Sequence, residues 1–306
     1  MCIRDRPWRV SDFFDPDRSR LNPRNYKPNY VYGTLPLWSS EAAAGLLMTD
    51  VATPLVWTLD TLGVDLLRDV PEGVDDVSVS DRLRFNTGFD VTIVGRLMSA
   101  FVDTLTIAAV FFLGKELGGR KVGLLAAFLQ SLAVLHIQYS HFLGSEPWVA
   151  LFATIVIWGA VRLARGRGGW PTRLLTGVAL GFAIGSKLNG VGAAAAPVVA
   201  VLVLLGPGVF ASLRGPRVAG YWHRVWGVVE PWLVMALVAV VAYRISQPYD
   251  FQGGFSLLFN QRFEDDIIYL TDINQGGNWP WVQPLVGAVP LLHPLEQIFW
   301  LSLIHI

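Results

Sequence analysis

The run from Val94 to Gly114 carries only Arg96 and Asp103 as charges. As a helix its roughly 21 residues span roughly 30 Å, the thickness of a bilayer's hydrocarbon core. Comparable apolar runs follow at 122–139, 147–161, 174–186, 191–205 and 225–243, and a last one starts near Leu295. The pattern predicts six complete spans and the start of a seventh. Composition agrees, since 53% of the 306 residues are hydrophobic and 16% charged, with a mean hydropathy of +0.44. A chain of this size and apolarity needs a membrane as solvent. The fold class expected is therefore all-α, a polytopic bundle of transmembrane helices. The single cysteine, Cys2, excludes an internal disulfide framework and a cysteine-based metal site.

Charge sets the expected orientation. If the first span runs from outside to inside, the inner connections hold Lys115, Arg120, Lys121, Arg162, Arg165, Arg167, Arg173, Arg214, Arg217 and Arg224. The outer ones after residue 115 hold only Lys187, Arg244 and Arg262. Short loops rich in Lys and Arg stay on the cytoplasmic side, so residues 7–93 and the long 246–294 loop are expected outside a cytoplasmic (inner) membrane. Eleven of the 24 Lys and Arg lie at or before Arg96 and the rest punctuate apolar runs, so no basic face survives for nucleic acid.

Both ends look foreign to the protein: residues 1–6 and 302–306 are similar to translated adapter sequence at the edges of metagenomic assemblies and are set aside. The genuine chain is expected to continue in both directions. Residues 7–33 read as a proline-rich loop. Leu35–Leu67 is apolar but holds Glu41, Asp50, Asp60 and Asp65, which are costly across a bilayer, so two interfacial helices are expected there. A single span through 35–67 is the alternative, and would put residues 7–33 inside.

The candidate site residues cluster at the expected outer rim. Arg96, Ser99 and Asp103 share one helical face. Arg96 could fork onto an interfacial phosphate, or could snorkel to headgroups or neutralise Asp103. In the turn 136–148, Ser145 and Pro147 suit a helix start, which leaves Gln138, Ser140 and His141 without a structural role. His141 with Glu146 could bind a cation or relay a proton, so a divalent cation stays open as a cofactor; no other metal site is indicated. Gly177, Gly181 and Gly185 recur every fourth residue and predict close helix packing. Lys187 at the end of that helix could meet a lipid-linked phosphate or merely snorkel. The segment Gln247-Pro-Tyr249-Asp-Phe leads towards Glu264, Asp265, Asp266 and the Trp279-Pro-Trp281 cluster, aromatics and carboxylates that suit either interfacial anchoring or sugar binding.

Leu21-Asn-Pro, Tyr32-Gly-Thr-Leu-Pro-Leu37, Gly95-Arg-Leu-Met-Ser-Ala100, Val134-Leu-His-Ile-Gln-Tyr-Ser-His141 and Arg244-Ile-Ser-Gln-Pro-Tyr249 occur in this order. Together they resemble the phospholipid-carrier-dependent membrane glycosyltransferases of the GT-C fold. These are relatives of the dolichyl-phosphate-mannose protein mannosyltransferases and the lipid A aminoarabinose transferases. The resemblance implies transfer of a sugar from a polyprenyl-phosphate carrier to a glycan, lipid or protein acceptor at the external leaflet. By position, Arg96 would contact the carrier phosphate, Lys187 would assist, and Tyr32, Asp103, Gln138, Ser140, His141, Gln247 and Tyr249 would line the site. Such enzymes usually carry an Asp-Glu pair in the first external loop, and none is present here. The catalytic aspartate is thus expected upstream of Pro7, with Asp12, Asp15, Asp17 and Glu146 as the candidates within this chain, and the chain by itself is expected to be inactive. A secondary transporter or flippase would show an inverted repeat, which the sequence lacks. A noncatalytic subunit of an envelope assembly is the third reading.

Overall fold

The computed structural model describes residues 13–17, 19, 21–25, 33–47, 58, 61–62, 90–200, 202–203, 221–254 and 256–276. Among these the regular structure is helical, as the apolar runs require: α1 (Leu35–Leu47), α2 (Asp90–Ser131), α3 (Val134–Ser140), α4 (Glu146–Ala164), α5 (Trp170–Ser186), α6 (Tyr221–Ser246) and α7 (Gln261–Gly276). Short 3-10 turns occupy Pro23–Asn25, Leu188–Ala194 and Pro248–Asp250.

Helix α2 has 42 residues, about 63 Å if straight, twice what a bilayer needs. Gly118 (φ −139°, ψ 15°) and Gly119 (φ 84°, ψ −179°) fold it into a hairpin instead, Gly119 taking a conformation that essentially only glycine adopts. The two arms close tightly, for a Cβ on Gly114 would lie 2.9 Å from the Gly123 Cα. The second arm does not run unbroken to Tyr139 as expected. It stops at Ser131, and after a turn α3 carries the chain to the rim.

Among the described residues three helical stretches are long and apolar enough to cross a membrane: Ile93–Ser131, which contains the glycine turn, Glu146–Ala164 and Val229–Ser246. The 17 residues of α5 reach about 26 Å. The stretch Leu188–Ala200 is shorter, its first seven residues being 3-10 helix rather than part of an α-helical span. Within 35–67, where two interfacial helices are expected, a helix is described over Leu35–Leu47; most of the remainder, the Trp279–Trp281 cluster and the span starting near Leu295 lie outside the described residues.

Packing runs α2 against α4, α4 against α5 and α5 against α6, with α1 laid on α2. The glycine stripe is where α5 meets α6: a Cβ on Gly177 would lie 2.7 Å from the Met235 carbonyl, and one on Gly181 2.4 Å from that of Ala239. Leu35, Val102, Trp148 and Leu151 form a buried core, with Phe152 and Phe182 packed on it. Outward lie Phe112, Leu125, Phe128, Leu129, Leu233 and Leu237, all exposed, which in water would be a severe liability and in lipid is the ordinary surface. One end of the bundle is basic. There Glu116 holds Arg167 at 2.8 Å and Arg162 at 3.4 Å, and Arg173 meets Glu230 at 3.1 Å. The other end is a polar rim.

Candidate functional site at the polar rim

The rim is built where three helix ends meet the segment entering α1. A Cβ on Gly33 would lie 2.2 Å from the Gly185 carbonyl, so the chain here lies on the end of α5 as only glycine permits. Thr34 then donates its backbone N–H to Gln247 Oε1 at 2.7 Å and its hydroxyl to the same oxygen. The Trp38 indole donates to the Ser246 carbonyl at 3.0 Å. These bonds fix the start of α1 beside the end of α6.

On one side of Gly33 opens a cavity of about 410 Å³, lined by Pro36, Leu37, Tyr139, Phe142, Leu143 and Glu146 among others. Glu146 begins α4 and its Oε1 lies 3.0 Å from Lys187 Nζ. Both side chains are about one-third exposed, and the pair stands at the margin of the cavity through Glu146, which lines it. Sequence spacing gave no reason to join them, being 41 positions apart. The expected capping by Ser145 is absent: its hydroxyl makes no cap bond and points instead towards Glu146 Oε2 at 3.5 Å. Pro147 does occupy the first turn.

Several expectations change. Asp103 is not neutralised by Arg96; it is nearly buried and pairs with His136 Nδ1 at 3.1 Å, because the hairpin turn brings α3 back along the first arm. It does not border the cavity. Arg96 is exposed and has no ion pair among the described residues. His141 and Glu146 make no direct hydrogen bond to each other. The His141 ring nitrogen bonds the Ile137 carbonyl at 2.6 Å, and the Ser140 hydroxyl bonds that same oxygen at 2.8 Å. Gln138 is exposed on α3. Among the described residues no group of three or more His, Cys, Asp or Glu gathers as a metal ion would need. Asp17 is exposed and pairs with Arg262 at 3.0 Å. Asp15 Oδ1 accepts the Asp17 N–H at 3.0 Å. Asp12 and Tyr32 lie outside the described residues.

On the other side of Gly33 is a group that sequence reasoning missed. Arg24 is buried, with Nη1 2.7 Å from Asp250 Oδ1 and Nη2 2.6 Å from Asp266 Oδ2. The second contact forms no aligned hydrogen bond and is purely ionic. Tyr243 donates its hydroxyl to Asp250 Oδ2, and Gln247 Nε2 donates to Asp250 Oδ1 at 3.2 Å. Burial pushes both aspartates up from the usual carboxylate range, and the Arg24 guanidinium opposes it. Gln247, expected to line a substrate site, therefore ties this cluster to Thr34. Tyr249 is fully buried, its hydroxyl 2.9 Å from Ser19 Oγ, and burial pushes its phenol up to about 12. Only a void of about 20 Å³ adjoins the cluster, room for roughly one water.

Residues 81–207 match the family model of the dolichyl-phosphate-mannose-protein mannosyltransferases. The chain is an integral membrane protein, and over that stretch it is similar to the mannosyltransferase family. The matched stretch holds Arg96, Asp103, Glu146 and Lys187, whereas Arg24, Asp250 and Asp266 fall outside it. No curated protein and no solved structure matches the chain significantly.

Proposed function

We propose that this protein transfers a sugar from a polyprenyl-phosphate carrier to an acceptor glycan, lipid or protein, working at the external face of a cytoplasmic membrane. The observation that supports this reading is the Glu146–Lys187 pair at the margin of an apolar-walled cavity open at the rim. An isoprenoid suits walls of Pro36, Leu37, Phe142 and Leu143, and its phosphate suits an ammonium group placed where the apolar wall ends. Of the carboxylates singled out from the sequence, Glu146 alone among the described ones borders this cavity.

In this reading a phosphate arriving at Lys187 competes with Glu146 for the ammonium, and the carboxylate is left able to accept a proton. The acceptor oxygen then forms its bond to the anomeric carbon as the bond to the carrier oxygen breaks. The phosphate leaves with the bonding electrons, and the hydroxyl proton passes to Glu146. Arg96 follows Gly95, which packs against Leu143 of the cavity wall, and in this reading its guanidinium helps to hold the carrier phosphate.

Binding of a fluorescent polyprenyl phosphate to the purified chain tests the assignment without requiring turnover. Lys187→Ala should weaken binding by about 10-fold to 100-fold, the value of a hydrogen bond between charged groups. Glu146→Gln should bind more tightly than the parent, since the competing internal anion is gone. Unchanged affinity in both variants would remove the phosphate from this site.

A further inference from the structure

Residues 251–260, Phe-Gln-Gly-Gly-Phe-Ser-Leu-Leu-Phe-Asn, hold no charged side chain. They follow α6 after the short Pro248–Asp250 turn, and the apolar stretch Val229–Ser246 of α6 is long enough to cross a membrane. The chain turns back on itself here: Phe251 and Phe259 form an antiparallel bridge, the Gln252 N–H donates to the Leu258 carbonyl at 2.9 Å, and the Asn260 N–H donates to the Asp250 carbonyl at 2.9 Å.

Arg244, one turn from the end of α6, makes the hairpin rigid. Its guanidinium donates to the carbonyls of Ser256 (3.0 Å), Pro248 (3.4 Å) and Gly254, and stacks over Phe251 with 4.9 Å to the ring centroid. Phe251, Phe259 and Phe263 stack in series at 5.0 Å and 4.5 Å. What this framework presents is apolar and uncovered, with Leu257 60% and Leu258 67% exposed. A protein seldom spends so many polar contacts to hold two leucines in water.

We propose that this hairpin is a membrane-interface anchor, with Leu257 and Leu258 seated among the lipid headgroups and upper acyl chains. Position selects lipid as the occupant. Val241 and Ile245 are exposed on one face of α6, the surface that lipid must cover in a spanning helix. Arg244 lies one turn beyond exposed Val240 and bonds the carbonyl of Ser256, which ties the hairpin to the end of that stripe. The hairpin thus continues the lipid-facing surface past the end of the span, and its lack of charge lets it do so without burying an ion.

The test uses Leu258→Cys with Cys2→Ser, labelled with an environment-sensitive fluorophore and reconstituted in vesicles of phosphatidylcholine and phosphatidylglycerol. A blue-shifted emission, quenched several-fold more by shallow nitroxide lipids than by a soluble ion quencher, is expected. Leu257→Cys labelled in the same way is a second reporter. Quenching by the soluble agent alone would place the leucines in water and overturn the proposal. Shielding from both agents would also overturn it, since a second copy or another protein would then cover them.

Discussion

Arg24 satisfies two buried carboxylates at once because a guanidinium is a fork, and both prongs are used. Removing it leaves Asp250 and Asp266 buried without a cation, a loss of about 3–5 kcal/mol for a broken buried pair. Arg24→Ala should therefore unfold at a markedly lower temperature in detergent, and Arg24→Lys should recover only part, since one ammonium replaces one prong. The pH dependence has a definite sign. Burial already raises both aspartates, and without Arg24 nothing cationic opposes it. Their folded-state values then lie further above the unfolded value of about 3.9. In that window the folded variant binds protons that the unfolded chain does not, so it gains stability as pH falls. The deficit against wild type should narrow as pH falls from neutral; a deficit that widens on acidification would contradict the pairing. Nothing in Asn-Pro-Arg24 announces this role, because its partners lie more than two hundred residues along the chain.

The contact of α5 with α6 was half legible. Glycines four apart mark a face that a neighbour approaches closely, and all three are used, Gly185 against the Ser246 side chain. Which helix would approach was not written in that spacing. Gly181→Ala should cost about 1–3 kcal/mol by overpacking, read as a lower unfolding temperature, since its new methyl would meet the Ala239 carbonyl at 2.4 Å. Gly192→Ala meets nothing within 4 Å and should change stability by less than about 0.5 kcal/mol. If both substitutions were equally harmless, the close approach of α5 to α6 would be wrong. The hairpin in α2 was visible as the charged break at Lys115, Arg120 and Lys121 between two apolar runs. The break after Ser131 was not, since no proline or glycine stands there, and its consequence is the turn of His136 towards Asp103.

Across the described residues, Arg162, Arg167 and Arg173, three of the cations assigned to one side, gather at one end around Glu116 and Glu230. The rim residues Glu146, Lys187 and Gln247 gather at the other. From the ten-to-three bias of Lys and Arg we propose that the basic end faces the cytoplasm. A cysteine at exposed His141 should then react with an impermeant thiol reagent added to intact cells expressing a Cys2→Ser background, and one at exposed Arg165 should react only after lysis. The reverse pattern would move the cavity to the cytoplasmic face and end the proposed reaction at an external leaflet.

The sequence by itself determined the solvent, the class of fold and the placement of most helices, because spanning a hydrocarbon layer imposes a length and a polarity that local composition must display. It also placed Glu146 and Lys187 at one rim. Only the tertiary structure decided partners: Lys187 with Glu146 rather than a free ammonium, His136 rather than Arg96 with Asp103, and Arg24 between two aspartates of the chain's far end. Ion pairing depends on where helix ends converge, and convergence is set by packing between faces such as Gly181 on Ala239. No periodicity along a single helix records it.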